Sequence, residues 1–292
     1  MTEHRGLSDY LQLTKPRLSL LSVLTTMAAY ASARVPHEPR RWLWVFVGTS
    51  LAAFGVAALN QYLEADTDAH MRRTADRPLP AGRIPTGSAF VLGGLMCIFA
   101  LMLMYAMVSA IAALFTLLTI VAYLGWYTPA KRRSRFSTEI GAIAGALPCL
   151  IGWTAGADNL AALGWIQFGI LLFWQIPHFM AIAWTYRGDY SAVHFPMLSV
   201  RDPSGRSVAA WSFVATALLV MVSLLPVCLR LDTWRYAAIA ALAGGWILVK
   251  AAAFLRPADR DRTARSLFHV TLAYLPIVLG ALVLDRALFF AV

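Results

Sequence analysis

Nine apolar runs divide this chain, near residues 17–34, 42–63, 88–106, 109–127, 139–157, 163–186, 207–229, 235–255 and 266–288. At 1.5 Å per residue, a helix of about 20 residues crosses the ~30 Å hydrocarbon core of a bilayer, and each run has roughly that length. The third and fourth runs are joined by almost nothing, since "MVSA" leaves room only for a tight turn. Only 14% of the residues are charged, whereas a soluble domain has about 25%. No linker is long enough to separate a soluble domain, and no internal repeat stands out. The expected fold is all-α: a polytopic membrane bundle of nine transmembrane helices forming a single domain over residues 1–292.

The net charge of +10 does not indicate nucleic acid, because the basic residues lie between the apolar runs and there set membrane orientation. With nine helices, nineteen of the 25 Lys and Arg residues fall on the side of the N-terminus. The other six are Arg34, Arg40, Arg41, Arg230, Arg235 and Arg286. The positive-inside rule then puts the N-terminus in the cytoplasm and the C-terminus outside. "MTEHRGLSDYLQLTKPRLSL" carries Glu3 and Asp9, lacks a small-residue cleavage site, and resembles neither a signal peptide nor a transit peptide. The expected location is a bacterial cytoplasmic (inner) membrane. Cys97, Cys149 and Cys228 all fall in apolar segments without metal-ligand spacing and are expected as small core residues.

Three polar clusters follow the second, fourth and sixth runs, all on the cytoplasmic side. In "NQYLEADTDAHMRRTADRPLPAGR", Asn60, Glu64 and Asp68 are spaced i, i+4, i+8 and form one stripe on a helix, while Asp66 falls on the opposite side. An amide and two carboxylates are hard oxygen ligands suited to Mg²⁺, which keeps positions for phosphate oxygens. Arg72, Arg73 and Arg77 would supply the phosphate counter-charge. The same stripe also suits a solvated helix end. "WYTPAKRRSRFST" brings Tyr127, Lys131 and Arg132 to the same side; a basic topology signal explains its charge but not its Tyr-Thr-Pro. In "FWQIPHFMAIAWTYRGDY", Gln175 and His178 flank Pro177 deep in an apolar run, where polar groups are expensive and usually functional. Asp189 follows at its cytoplasmic end. His178 is either a functional ligand or a histidine packed against a neighbouring helix. Converged, the clusters would form a polar chamber opening on an apolar interior, which suits a prenyl diphosphate.

These stretches resemble the protohaem IX farnesyltransferases (haem O synthases) of the UbiA-type intramembrane prenyltransferase superfamily. The family's N-x3-(D/E)-x3-D-x2-M-x-R-T-x2-R-P-L-x2-G signature is matched from Asn60 to Gly82. "LTKPRLSLL", "YTPAKR", "GAIAGALPCLIGW" and "FWQIPHF…DYSAVHFPMLSV" extend the likeness over most of residues 10–200. The resemblance implies an enzyme, a nine-helix bundle, and Mg²⁺-dependent transfer of farnesyl from farnesyl diphosphate to a vinyl group of haem B, giving haem O. It implies catalytic and metal-binding roles for Asn60, Glu64, Asp68 and Asp189 and diphosphate contacts for Lys131 and Arg132. Gln175 and His178 become haem-binding candidates, with His178 a possible axial ligand. The implied partners are both substrates, the lipid bilayer, and haem A synthase or a terminal oxidase assembly. Some positions depart from the family pattern: Glu64 replaces a common Asp, Thr185 a second Asp, Cys149 a proline and Ser137 an Asn. The alternatives are a quinone-precursor polyprenyltransferase of the same superfamily and, in another class, a membrane transporter.

Overall fold

A computed structural model describes residues 6–33 and 38–289. Arg5 and Arg34, two of the residues counted for orientation, lie outside them. The described residues form helices and no strand. A short helix α1 (Gly6–Thr14) precedes α2 (Pro16–Ala33), α3 (Pro39–Asp68), α4 (Thr86–Met107) and α5 (Ala110–Val121). A π-helical segment (Ala122–Tyr127) continues α5 into α6 (Thr128–Arg133). Then come α7 (Ser137–Ala157), α8 (Ala162–Thr185), the short α9 (Arg187–Ala192) and α10 (Leu198–Arg201), and the long α11 (Arg206–Cys228), α12 (Trp234–Leu255) and α13 (Arg260–Phe289).

Among the described residues, eight helical stretches are long and apolar enough to cross a membrane. The chain is an integral membrane protein. The first expected span, α2, is a helix at the expected place but is not among the eight. It carries Arg17, Ser19, Ser22, Thr25, Thr26 and Ser32, and it is packed within the bundle. The turn at "MVSA" is tight as expected. Ser109 caps α5 by accepting a hydrogen bond from the Ala112 amide.

Close helix crossings rather than large side chains hold the centre. A Cβ on Gly152 of α7 would lie 1.9 Å from the Thr26 carbonyl oxygen, and one on Gly55 of α3 would lie 2.7 Å from that of Gly93 on α4. Such small residues let backbones approach where lipid provides no hydrophobic drive. Thr26 Oγ1 adds a 2.9 Å bond to the Pro148 carbonyl, tying α2 to α7. The helix α7 packs against α2, α5 and α8 at the middle of the bundle, whereas α4 turns Val91, Leu95, Ile98, Phe99 and Met102 outward. Cys97 and Cys149 are buried as expected, but Cys228 is exposed, because it ends α11 at the rim.

Candidate active site

The last turns of α3 separate their polar residues by face. Asn60, Glu64 and Asp68 are 2%, 6% and 1% exposed, while Asp66 is exposed. Each buried group meets a cation or hydroxyl from another part of the chain. Lys131 Nζ donates to Glu64 Oε1 at 2.7 Å and lies 4.5 Å from the centre of the Tyr127 ring. Arg77 pairs with Asp68 Oδ2. Asn60 donates to Thr128 Oγ1 at 3.2 Å and accepts from Lys15 Nζ at 3.2 Å.

Local sequence explains why Tyr127 and Lys131 arrive there. Pro129 has no amide proton and crowds the carbonyl one turn back, which disturbs an α-helix. Here the helix widens to π: the Thr128 amide bonds to the carbonyl of Tyr123, and Thr128 Oγ1 donates to that same oxygen at 2.9 Å. π-Bulges often mark functional sites. The widened turn sets Tyr123 edge-on to Tyr127, ring centres 5.1 Å apart, and lays Tyr127 against Gly141 of α7, where a Cβ would come within 2.6 Å of the ring.

Lys15 was counted in the sequence only for orientation, yet it belongs to this cluster. It occupies the break between α1 and α2 at φ 47°, a left-handed conformation costly for a residue with a side chain. Gln61 on α3 holds the break by donating to the carbonyls of Leu13 (2.8 Å) and Gln12 (3.2 Å). Burial, reinforced by the charges of Arg77 and Lys131, pushes the Lys15 ammonium down to about 7. The signal available in the sequence was "TKP", since the residue before a proline is biased out of the helix. A cavity of about 160 Å³ opens beneath, lined by Lys15, Ser19, Ser22, Thr49, Tyr123 and Ile151 among others. Thr49 Oγ1 is buried there without a hydrogen-bond partner among the described residues.

Several expected residues stand elsewhere. Arg132 points away from Lys131, to the outer face of α3, where it binds Asp66 (2.5 and 3.0 Å) and the Leu63 carbonyl (3.0 Å). Adjacent helical residues are about 100° apart, so the two cannot both face the chamber. Arg73 stacks 5.7 Å from the Tyr186 ring centre at the surface, and Arg72 is exposed; of the three arginines only Arg77 reaches the stripe. Asp189 sits half-buried on α9. Among the described residues it does not gather with Glu64 and Asp68 into a group of three metal-binding side chains, because the chain turns aside at Tyr186 once α8 ends. Gln175 and His178 face different helices. Gln175 donates to the Ala142 carbonyl of α7 (3.3 Å), beside Gly145, whereas His178 Nδ1 lies 2.8 Å from Thr271 Oγ1 of α13. Tyr62, on the outer face of α3, is exposed and packs on Phe90 of α4 with ring centres 5.3 Å apart.

The donor set of Asn60, Glu64 and Asp68 fits a hard divalent cation. The ion pairs use only Oε1 of Glu64 and Oδ2 of Asp68. Residues 21–273 match the UbiA prenyltransferase family. This chain belongs to that family. Membership makes it a prenyltransferase and removes the transporter reading. A protohaem IX farnesyltransferase of Opitutus terrae is 64% identical over 279 residues, 96% of this chain and 95% of that one. Another, from Salinibacter ruber, is 39% identical over 95% of this chain and 98% of its own length. A solved digeranylgeranylglyceryl phosphate synthase superposes with a TM-score of 0.82 at 17% identity, covering 97% of this chain and 99% of that one. An Archaeoglobus fulgidus UbiA homologue bound to DMAPP and Mg²⁺ gives 0.68 at 14% identity, covering 94% and 99%. These two likenesses show that the UbiA prenyltransferase fold is the one adopted here.

Proposed function

We propose that this UbiA prenyltransferase transfers farnesyl from farnesyl diphosphate to a vinyl group of haem B, with addition of water, to form haem O. The observation that carries the reading is the 64% identity, over nearly the whole chain, to a protein named for that reaction. The buried stripe of Asn60, Glu64 and Asp68, ringed by Lys15, Arg77 and Lys131, supports it.

Asn60, Glu64 and Asp68 are the residues that would hold Mg²⁺, as the Mg²⁺-bound Archaeoglobus homologue suggests. Held by these residues, Mg²⁺ would supply charge neutralisation to the diphosphate leaving group. Arg77 and Lys131 place two positive charges where negative charge accumulates as the allylic C–O bond breaks, with Lys15 beside them as a hydrogen-bond donor. Preorganised charge in a water-poor site is among the strongest contributions to catalysis. The prenyl tail enters the apolar cavity between α2, α3 and α7, and the electron-rich faces of Tyr123 and Tyr127 stabilise the allylic cation. The vinyl carbon then bonds to the farnesyl C1. Water adds to the cation left beside the pyrrole and loses a proton, leaving a hydroxyethylfarnesyl group. His178 contacts the haem. Nine membrane crossings, with α2 the first and the N-terminus cytoplasmic, put the diphosphate site on the cytoplasmic side of a bacterial inner membrane. Haem O would pass to haem A synthase or to a terminal oxidase assembly.

The test is mass spectrometry of haem extracted after incubating the purified protein with haem B, farnesyl diphosphate and Mg²⁺. A mass gain of farnesyl plus one hydroxyl group, abolished by Asp68→Asn, is expected. Unchanged haem alongside prenylation of 4-hydroxybenzoate would overturn the reading in favour of a quinone-precursor enzyme.

A further inference from the structure

The environment of His178 is more specific than that of a histidine filling space between helices. Its ring lies between Trp174 (centres 4.8 Å apart, planes 21° apart) and Phe268 (5.0 Å, 31°), with the edge of Phe179 at 5.4 Å. Covered on both faces, the imidazole has little freedom to turn over. Thr271 Oγ1 lies 2.8 Å from Nδ1 and also donates to the carbonyl of Phe268 at 2.6 Å. A hydroxyl has one proton. With that proton committed to Phe268, Thr271 can only accept from His178. Nδ1 therefore carries the ring proton, and the lone pair is left on Nε2, which makes no hydrogen bond among the described residues. Trp174, one turn before His178, donates its indole N–H to the carbonyl of the same Thr271 at 2.7 Å. The helix α8 thus grips Thr271 twice, once through its carbonyl and once through its hydroxyl.

We propose that Thr271 of α13 is a positioning residue for the haem substrate: it holds His178 in the Nδ1–H tautomer so that the Nε2 lone pair is available to the haem iron. Metal-bound histidines characteristically donate their second N–H to such a partner, which fixes tautomer and ring orientation. The inference rests on the reading of this chain as a haem-modifying prenyltransferase. It adds the iron-facing atom, the residue that orients it, and the seam between α8 and α13 as the place where haem is held.

The test titrates ferric haem B into the purified full-length protein and follows the Soret band and the electron paramagnetic resonance of the iron. Wild type, His178→Ala, Thr271→Val and Thr271→Ser are compared, with farnesyl diphosphate binding measured on each as a check of the fold. His178→Ala is expected to lose the histidine-ligated signature. Thr271→Val, which keeps the shape but removes the acceptor, is expected to weaken haem binding about tenfold and broaden the iron signal, as loss of a ligand's outer partner does. Thr271→Ser should restore both, and farnesyl diphosphate binding should stay at the wild-type level throughout. A Thr271→Val protein with wild-type spectrum and affinity would overturn the role of Thr271. An unchanged spectrum in His178→Ala would overturn ligation altogether. If such a His178→Ala protein still makes farnesylated haem, only the ligation inference falls; if wild type makes none, the proposed reaction falls instead.

Discussion

At the scale of single residues, neighbours in sequence divide between chemistry and scaffold. Lys131 and Arg132 are both basic and adjacent, yet one pairs with buried Glu64 and the other with exposed Asp66. Their substitutions should separate accordingly. Lys131→Ala removes a charge aimed at the leaving group and leaves the Glu64 carboxylate without its cation; turnover should fall by about 10²–10³, the usual loss when a preorganised stabiliser is deleted. Arg132→Ala breaks surface contacts to Asp66 and the Leu63 carbonyl, and exposed ion pairs are typically worth less than about 1 kcal/mol, so turnover should stay within about twofold of wild type. Steady-state rates with haem B and farnesyl diphosphate check both, and equal losses would show that Arg132 also serves the diphosphate. The division of Asp66 from Asn60, Glu64 and Asp68 was legible in the sequence because helical periodicity alone decides which side each takes. The direction of Arg132 and the arrival of Lys15 were not. Both depend on how separate helices meet, which no local spacing encodes.

At the scale of elements, the π segment connects a proline to the site. The Tyr-Thr-Pro that a topology signal left unexplained is the sequence of this distortion: Pro129 withholds its donor and Thr128 satisfies the carbonyl of Tyr123. Replacing Pro129 by Ala returns a donor and lets an ordinary α-helix form. One residue fewer per bulge turns everything downstream by about 100°, carrying Lys131 off the Glu64 carboxylate. Pro129→Ala should therefore hold or raise the thermal midpoint while lowering turnover by about a hundredfold, the order expected when a catalytic group is misplaced by an ångström or more. Thermal unfolding in detergent and turnover on the same preparation test this, and a parallel fall in both would identify Pro129 as simply structural. The apolar runs themselves were legible as helices to within a few residues, because membrane length and hydropathy constrain them strongly. The π turn was not, since hydropathy is blind to one extra residue in a turn.

At the scale of the whole molecule, the two rims are built differently. The rim bearing Asn60, Glu64 and Asp68 gathers cations around carboxylates that face the chamber. On the other, three of the six cations that run against the positive-inside pattern are tied down within the protein. Arg41 binds Asp158 (2.5 and 3.0 Å) and the Val108 carbonyl (3.0 Å), Arg235 lies 4.3 Å from the centre of the Phe289 ring, and Arg286 donates to the carbonyls of Ser32 (2.5 Å) and Leu231 (3.1 Å). These contacts join α2, α3, α7, α12 and α13, so Arg41, Arg235 and Arg286 serve as closures of the bundle. Beside Arg286, Asp285 accepts from both the amide (2.7 Å) and hydroxyl (2.6 Å) of Thr233 and so caps α12. Its neighbour Asp232, in the turn before α12, is buried, and burial together with the Asp285 carboxylate pushes it up to about 7. An aspartate free in an unfolded chain titrates near 3.9. Between about pH 4 and pH 7 the folded protein thus holds a proton that the unfolded chain has released, and stability falls as pH rises through that window. The thermal midpoint in detergent should drop by a few degrees from pH 5 to pH 8. Asp232→Asn, neutral at every pH, should flatten that slope and unfold at the higher temperature at pH 8. The same slope in wild type and Asp232→Asn would assign the pH dependence to other groups.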